Sequence, residues 1–406
     1  MSRLFSSLKN DNLSRLPNEI LYNLLDQLDD KDQQYLSLTC QWLYRLIRMH
    51  RFSAVSPAWE DAEIAGSEGL PASCYRDGMF INGILYIPIL AKEGPYCLSL
   101  GFDRSPLKFV RNPIKFQHDT HGHYEPCKFA ATAAIENLIY IFGGQNLITG
   151  RLTNTLYELN VNTFELREIQ NSHMMPKPRM LHTLNFIDHY RLALFGGRLE
   201  MDGHFYDTKE FAVYDTRKNE WTICDGTKCT PYPRSKHSTM FTNGKLYVYG
   251  GQQIKSFSRS NRTHDDPDIW VYDALRLEWQ KFLNYEDEKF MSKIELPENW
   301  VPTSGANPSR RCGAAILPIR KHIAILGGNE ICESNNENRP WELMKILSPK
   351  KRTWAHIRVK GMPLIDCVVF LVDRKIGTKN IFVLGKDKNE EKIVMGWIKD
   401  TNMIKN

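Results

Sequence analysis

The sequence predicts a mainly β fold, a six-bladed β-propeller preceded by a small domain of three short α-helices. Three observations carry that prediction. Gly-Gly pairs end short apolar strands at Gly143, Gly196, Gly250 and Gly327, in steps of 53, 54 and 77 residues, the last being one period plus an insertion. An aromatic residue keeps time with them roughly 30 positions earlier, at Phe109, Phe164, Trp221 and Trp354, with Trp279 set further ahead by the insertion. Ahead of the repeats the apolar residues recur at helical rather than two-residue spacing.

Composition agrees. The 406 residues are too many for one ordinary core and enough for a repeat array. With 42% apolar and 25% charged residues the chain should fold, and 11% aromatics with 25 glycines suit short strands and tight turns. A net charge of +6, scattered in both signs, does not argue for nucleic acid. No run of about 18 apolar residues is present, so no membrane span is expected, and the first ten residues lack a secretory signal. Nine cysteines, an odd number, argue against a complete disulfide framework and for a reduced intracellular protein, cytoplasmic, nuclear or both.

The helical segment comes first in the chain. Leu16-Pro17-Asn18-Glu19 opens a helix with Pro at the first helical position and an acid in the first turn. Ile20, Leu21, Leu24, Leu25 and Leu28 form one stripe, which Asp29-Asp30-Lys31-Asp32 breaks. Tyr35, Leu36 and Leu38 begin a second, and Trp42, Leu43, Leu46 and Ile47 make a third apolar face. So little chain cannot bury those faces alone, and they imply a partner protein.

The repeats follow. Each period holds four strand-sized segments. One starts after Pro-Arg, the second ends in Gly-Gly, the third ends in Tyr-Asp (Tyr214-Asp215, Tyr272-Asp273), and the fourth carries the aromatic. Two weaker copies flank the four clear ones. Asn82-Gly83-Ile84-Leu85-Tyr86-Ile87 matches Asn243-Gly244-Lys245-Leu246-Tyr247-Val248, and Gly385 closes Ile381-Phe382-Val383-Leu384, which makes six. Four-stranded antiparallel units repeated evenly predict a propeller, whose radial packing protects strand edges. The last period lacks a fourth strand with an aromatic, and residues 52–59, with Trp59, are expected to supply it. The boundaries read as a tail at 1–12, the helical domain at 13–51, the propeller at 52–398 and a tail at 399–406.

Gly-Gly, then Tyr-Asp, then Trp, with Pro178-Arg179-Met180-Leu181-His182 and Pro233-Arg234-Ser235-Lys236-His237 ahead of the next Gly-Gly and Arg311-Cys312-Gly313-Ala314 as a looser copy, resembles the kelch repeat. Leu16-Pro17 with Glu19, Ile20 and Leu21, then Leu28, Asp32, the run Leu36-Ser37-Leu38-Thr39-Cys40 and Trp42, resembles the F-box. The two together imply the substrate-recognition subunit of an SCF-type cullin-RING E3 ubiquitin ligase. Leu16, Pro17, Ile20, Leu21, Leu24, Leu28, Leu36, Leu38 and Trp42 would bind the Skp-type adaptor, and through it the cullin and RING subunits. The kelch ring would hold a protein substrate. The alternatives are an F-box/kelch scaffold acting outside degradation and a kelch enzyme or small-ligand binder.

Motifs for catalysis are missing from the sequence. It has no P-loop, no dinucleotide Gly-x-Gly-x-x-Gly at a strand-to-helix junction, no His-Glu-x-x-His and no Gly-x-Ser-x-Gly. His118, His121 and His123 with Cys127 read as a solvated loop, and Pro349-Lys350-Lys351-Arg352 as a turn rather than an import signal. No catalytic residue, metal or cofactor is expected. The long connections, at 145–153, 198–208, 252–267, 284–308 and 329–340, fall on one face of the ring, where recognition is expected. Arg179, Arg234 and Arg311 begin innermost strands and should ring the channel mouth there. An arginine in that place either takes a carboxylate or phosphate of an acidic or phosphorylated substrate, or holds loop carbonyls. Tyr206, Arg259 and Arg262 are further candidates for substrate contact.

Overall fold

In the computed structural model the chain divides into two compact units, Met1–Pro57 and Ala58–Asn406. The structure describes Asp32 and residues 58–399, except 67–77, 104–105, 118–123, 171–173, 225–229, 255–268, 285–299, 306–307, 309–310, 320, 331–342, 360–363, 376–377 and 388–392. Asp32 is helical. The rest of the three expected helices, with every expected adaptor-binding residue, lies outside the described residues.

The second unit is a ring of six four-stranded antiparallel blades. Blade 3 is the plainest, formed by Thr183–Phe186, Arg191–Phe195, Phe211–Asp215 and Glu220–Ile223 in that order. Its second strand runs into Gly196-Gly197. The innermost strands of the other blades start at Met79, Ala131, Ser238, Arg311 and Leu364. Blade 6 uses both ends of the described chain. Leu364–Lys375, Thr378–Asp387 and Ile393–Lys399 are joined by Ala58–Asp61, with Trp59 opposite Ile398 and Asp61 opposite Gly396.

The two-residue period of each strand decides where the core sits. Leu192 and Leu194 pack toward blade 2 with Phe142, Leu156 and Trp221, whereas Ala193 and Phe195 pack toward blade 4 with Val248, Trp270 and Trp279. The same division recurs at every junction, so the hydrophobic core is six separate layers between neighbouring blades. The recurring tryptophan has its reason here. Trp221 lies 5.0 Å from the Phe142 ring and Trp279 5.5 Å from Phe195, so each covers the strand before the preceding blade's Gly-Gly.

Short parallel strands add a feature that the repeat alone does not announce. After the last strand of a blade the chain pairs in parallel at the next blade's outer edge: Ile64–Ala65 with Leu107–Lys108, and Lys115–Phe116 with Glu165–Glu168. Part of the 284–308 segment does the same, which corrects its expected place among the loops. Trp300–Gly305 pairs in parallel with Glu278–Asn284 of blade 4 and with Thr353–Arg358 of blade 5, joining the two blades into one nine-stranded sheet. Residues 349–352 form a turn between the last two strands of blade 5.

Trp59 packs on the layer between blades 5 and 6 and lies directly over Gly396, where a Cβ would meet its indole ring. Trp59→Ala should therefore lower unfolding free energy by about 3 kcal/mol in urea titration, while the exposed Glu63→Ala stays within about 0.5 kcal/mol. Equal effects would mean that this strand does not help to hold the ring closed.

Candidate functional site

The face of the ring that carries the second-to-third-strand connections is built on a repeated stitch. The main-chain carbonyl of Arg179 accepts a hydrogen bond from Gly144 N–H at 2.7 Å, that of Arg234 from Gly197 at 2.9 Å and that of Arg311 from Gly251 at 2.9 Å. The guanidinium then reaches forward. Nη1 of Arg179 donates to the Gly196 carbonyl at 3.0 Å, that of Arg234 to Gly250 at 3.0 Å and that of Arg311 to Gly327 at 2.9 Å. Each arginine thus holds the preceding blade with its backbone and its own blade with its side chain.

The first glycine of each pair sits at a left-handed φ, 67° at Gly143 and 64° at Gly196. A Cβ at either would stand 2.7 Å from the carbonyl of the following stitch arginine. Backbone conformation and close approach both require glycine there. Nearer the axis a second chain of hydrogen bonds crosses four blades, from Leu181 N–H to Phe129 carbonyl, Lys236 to Leu181 and Gly313 to Lys236, each at 3.1 Å. Phe129, Leu181, Lys236 and Gly313 all have φ between 53° and 71°.

The arginines consequently do not line an open mouth. Arg179 is 0% exposed, Arg311 1% and Arg234 3%. Arg179 also donates through Nε to the Lys177 carbonyl at 2.9 Å and through Nη2 to the Glu210 carboxylate. Of the two roles open to these residues from sequence, the geometry matches the holding of carbonyls. As a group for substrate, the three are corrected: a guanidinium buried against main-chain carbonyls cannot also meet an incoming anion. Burial lowers the Arg179 pKa against the opposing pull of Glu210.

Tyr206 lies on the rim, half-buried, in the hairpin of Arg198–Met201 and His204–Asp207. The root of this hairpin is fixed. Arg198 Nε meets Asp207 Oδ1 at 3.0 Å, Arg198 Nη2 donates to Ser235 Oγ at 3.0 Å, and Ile254 N–H donates to Asp207 Oδ2 at 2.6 Å. Burial pushes the Asp207 carboxyl up, against the pull of Arg198. Between this hairpin and the blade 2 connection lies a cleft of about 370 Å³, with Arg151 and Lys177 on one side and Glu200 and Asp202 on the other. Sequence reasoning missed those four charges because they stand outside the repeated motif. Arg259 and Arg262 lie outside the described residues.

The inner strands of all six blades enclose an axial channel of about 250 Å³. Two polar pairs line it, Thr183 Oγ1 with His237 Nε2 at 2.9 Å and Asn185 Nδ2 with Thr239 Oγ1 at 2.6 Å. Among the described residues no three His, Cys, Asp or Glu side chains group to hold a metal, and no helix is long and apolar enough to cross a membrane. Of the loop that carries His118, His121 and His123, residues 118–123 lie outside the described residues, and Glu125 accepts from the Thr153 and Thr155 hydroxyls at 2.8 and 3.0 Å.

Buried His182 stacks edge-on against Phe142 at 5.6 Å, and burial with the nearby Arg179 charge holds its pKa well below the usual imidazole value. Two outcomes follow. Arg234→Ala should lower stability by about 2 kcal/mol in denaturant titration, since it leaves the buried Gly250 carbonyl without that donor. The unfolded chain binds a proton at His182 that the folded chain refuses, so stability falls as pH drops below about 6.5, by up to about 1.4 kcal/mol per pH unit from this group. His182→Gln should flatten that limb in unfolding measured at a series of pH values.

Comparison with known proteins places these features in a wider set. Residues 128–385 match the family described as the KLHDC2/KLHL20/DRC7 Kelch-repeats domain, more than half of the chain, and residues 13–54 match the F-box domain. Kelch domain-containing protein 3 of Bos taurus is 28% identical over 148 residues, covering 35% of this chain and 37% of its own. Tip elongation aberrant protein 1 of Schizosaccharomyces pombe is 28% identical over 146 residues, 35% of this chain and 12% of its own. N-(sulfonatooxy)prop-2-enimidothioate sulfolyase of Thlaspi arvense is 31% identical over 121 residues, 29% of this chain and 34% of its own. The match therefore spans less than two fifths of the length of each of these relatives.

Proposed function

Since the chain belongs to the kelch-repeat family and carries an F-box domain ahead of the repeats, we propose that it is the substrate-recognition subunit of an SCF-type cullin-RING E3 ubiquitin ligase. The observation that carries the reading is the coincidence, in one chain, of the F-box match at 13–54 with the kelch match at 128–385. Proteins that combine the two are generally substrate adaptors rather than enzymes.

In this reading Leu16, Pro17, Ile20, Leu21, Leu24, Leu28, Leu36, Leu38 and Trp42 bury their apolar side chains against a Skp-type adaptor, which brings the cullin and RING subunits. A stable interface of this kind buries about 800 Å² on each partner. The loop face of the ring holds the protein substrate, with Tyr206 as a contact. Arg259 and Arg262 stay among the proposed contacts. This chain performs no bond chemistry and needs no cofactor. Its contribution is proximity, which raises the local concentration of a substrate lysine near the charged ubiquitin. The complex works in the cytoplasm, the nucleus or both.

The ring supports this by its construction. The arginine stitch and the second chain of hydrogen bonds fix the roots of the loops, so a bound segment meets a preorganised surface. Titrating the purified full chain into a Skp-type adaptor should show saturable binding, and Ile20→Glu with Leu24→Glu should abolish it while leaving the strand signal in circular dichroism unchanged. Absence of adaptor binding by the unaltered chain would contradict the proposal. In cells, proteins captured on the double variant should persist longer in a cycloheximide chase than with the unaltered chain, and equal half-lives would favour a scaffold that acts outside degradation.

A further inference from the structure

The rim hairpin leaves one strand edge open, and the register shows which groups it offers. Arg198 exchanges both main-chain hydrogen bonds with Met180, N–H to carbonyl at 2.8 Å and carbonyl to N–H at 3.1 Å. Main-chain groups two residues apart point the same way on a strand, so the N–H and carbonyl of Glu200 face the Met180 side. Continued antiparallel, that pairing brings Glu200 opposite Pro178, which has no N–H to give. Arg179, between them, sends its own N–H to the Thr153 carbonyl at 3.1 Å. The neighbouring chain stops pairing there, and the Glu200 main chain opens onto the cleft without a backbone partner among the described residues.

The cleft also carries charge of both signs. Arg151 and Lys177 are exposed on one wall and Glu200 and Asp202 on the other, and none of the four forms an ion pair with a described residue. Leu199 is buried at 4% exposure. The hairpin does not need to be ordered by a ligand, because Arg198, Asp207, Ser235 and Ile254 already fix its root.

We propose that this cleft takes an extended segment of a partner protein as an added strand on the Glu200 edge, with an acidic side chain against Arg151 and Lys177 and a basic side chain against Glu200 and Asp202. The proposal rests on the reading of this face as the one that holds substrate. Main-chain pairing supplies an orientation common to any extended chain, and the two charges of opposite sign select the sequence. An all-acidic segment is disfavoured, since it sets like charge against Glu200 and Asp202.

The test uses the full chain and short fluorescent peptides of Val, Thr and Ser into which one Glu and one Lys are walked at every pair of positions, read by anisotropy. The tightest peptides should carry both charges at one fixed separation and order. Methylating the peptide amide that pairs with the Glu200 carbonyl should weaken them. Arg151→Glu with Lys177→Glu should lower their affinity about tenfold, and replacing the peptide's Glu by Lys should restore it. No preference for a charge pair, or an affinity that charge reversal leaves within about twofold, overturns the assignment. Adaptor binding measured on the same charge-reversed variant should be unchanged. Peptide failure with adaptor binding intact removes the cleft alone, whereas adaptor failure with peptide binding intact supports the cleft and removes the ligase reading.

Discussion

A ring of blades has no central core to hold it together, so everything depends on how one blade is fastened to the next. Here the fastening is an arginine whose carbonyl takes an amide from the blade behind and whose guanidinium takes a carbonyl of its own blade. Glycine is forced at the receiving end, because a Cβ there would stand inside contact distance of the arginine carbonyl. Burial gives the interaction its strength. A carbonyl sealed from water without a donor is expensive, and a guanidinium sealed with carbonyls and Glu210 is satisfied in several directions at once.

The hydrophobic layers follow the same logic. Each second strand sends alternate side chains to opposite neighbours, so no blade can bury its apolar residues alone. Trp59 matters for that reason. Its strand is the piece by which residues near the start of the ring pair with residues near its end, and Gly396 is small where the indole lies across it. The strand at Trp300–Gly305 fastens blades 4 and 5 a second time, from outside, at the junction where the period is longest.

The legibility of these features in the sequence divides along physical lines. Gly-Gly and Trp are readable because each is forced by a constraint local to one strand, a left-handed φ or a large ring over the neighbouring strand, and the constraint repeats. The direction of an arginine side chain is not local. Arg179 reads equally well as an anion site and as a pin, and only the placement of Gly196 and Glu210 in space separates the two. Two-residue parallel pairings such as Ile64–Ala65 with Leu107–Lys108 are too short to show a period at all. The cleft is invisible for a further reason: Arg151, Lys177, Glu200 and Asp202 come from connections that differ from copy to copy, so no repetition marks them. The first unit was legible only as pattern and family likeness, because its residues, Asp32 apart, lie outside the described structure.

The stitched ring is stiff where blade meets blade, and it carries loops that differ from copy to copy. Stiffness at the stitch beside openness at the rim is the central claim, and native-state hydrogen exchange reads both in one experiment. The amides of Gly144, Gly197 and Gly251, each bonded to a stitch carbonyl, should exchange as slowly as the innermost strands, while the Glu200 amide on the open hairpin edge exchanges orders of magnitude faster. Glycine amides that exchange as fast as Glu200 would contradict it.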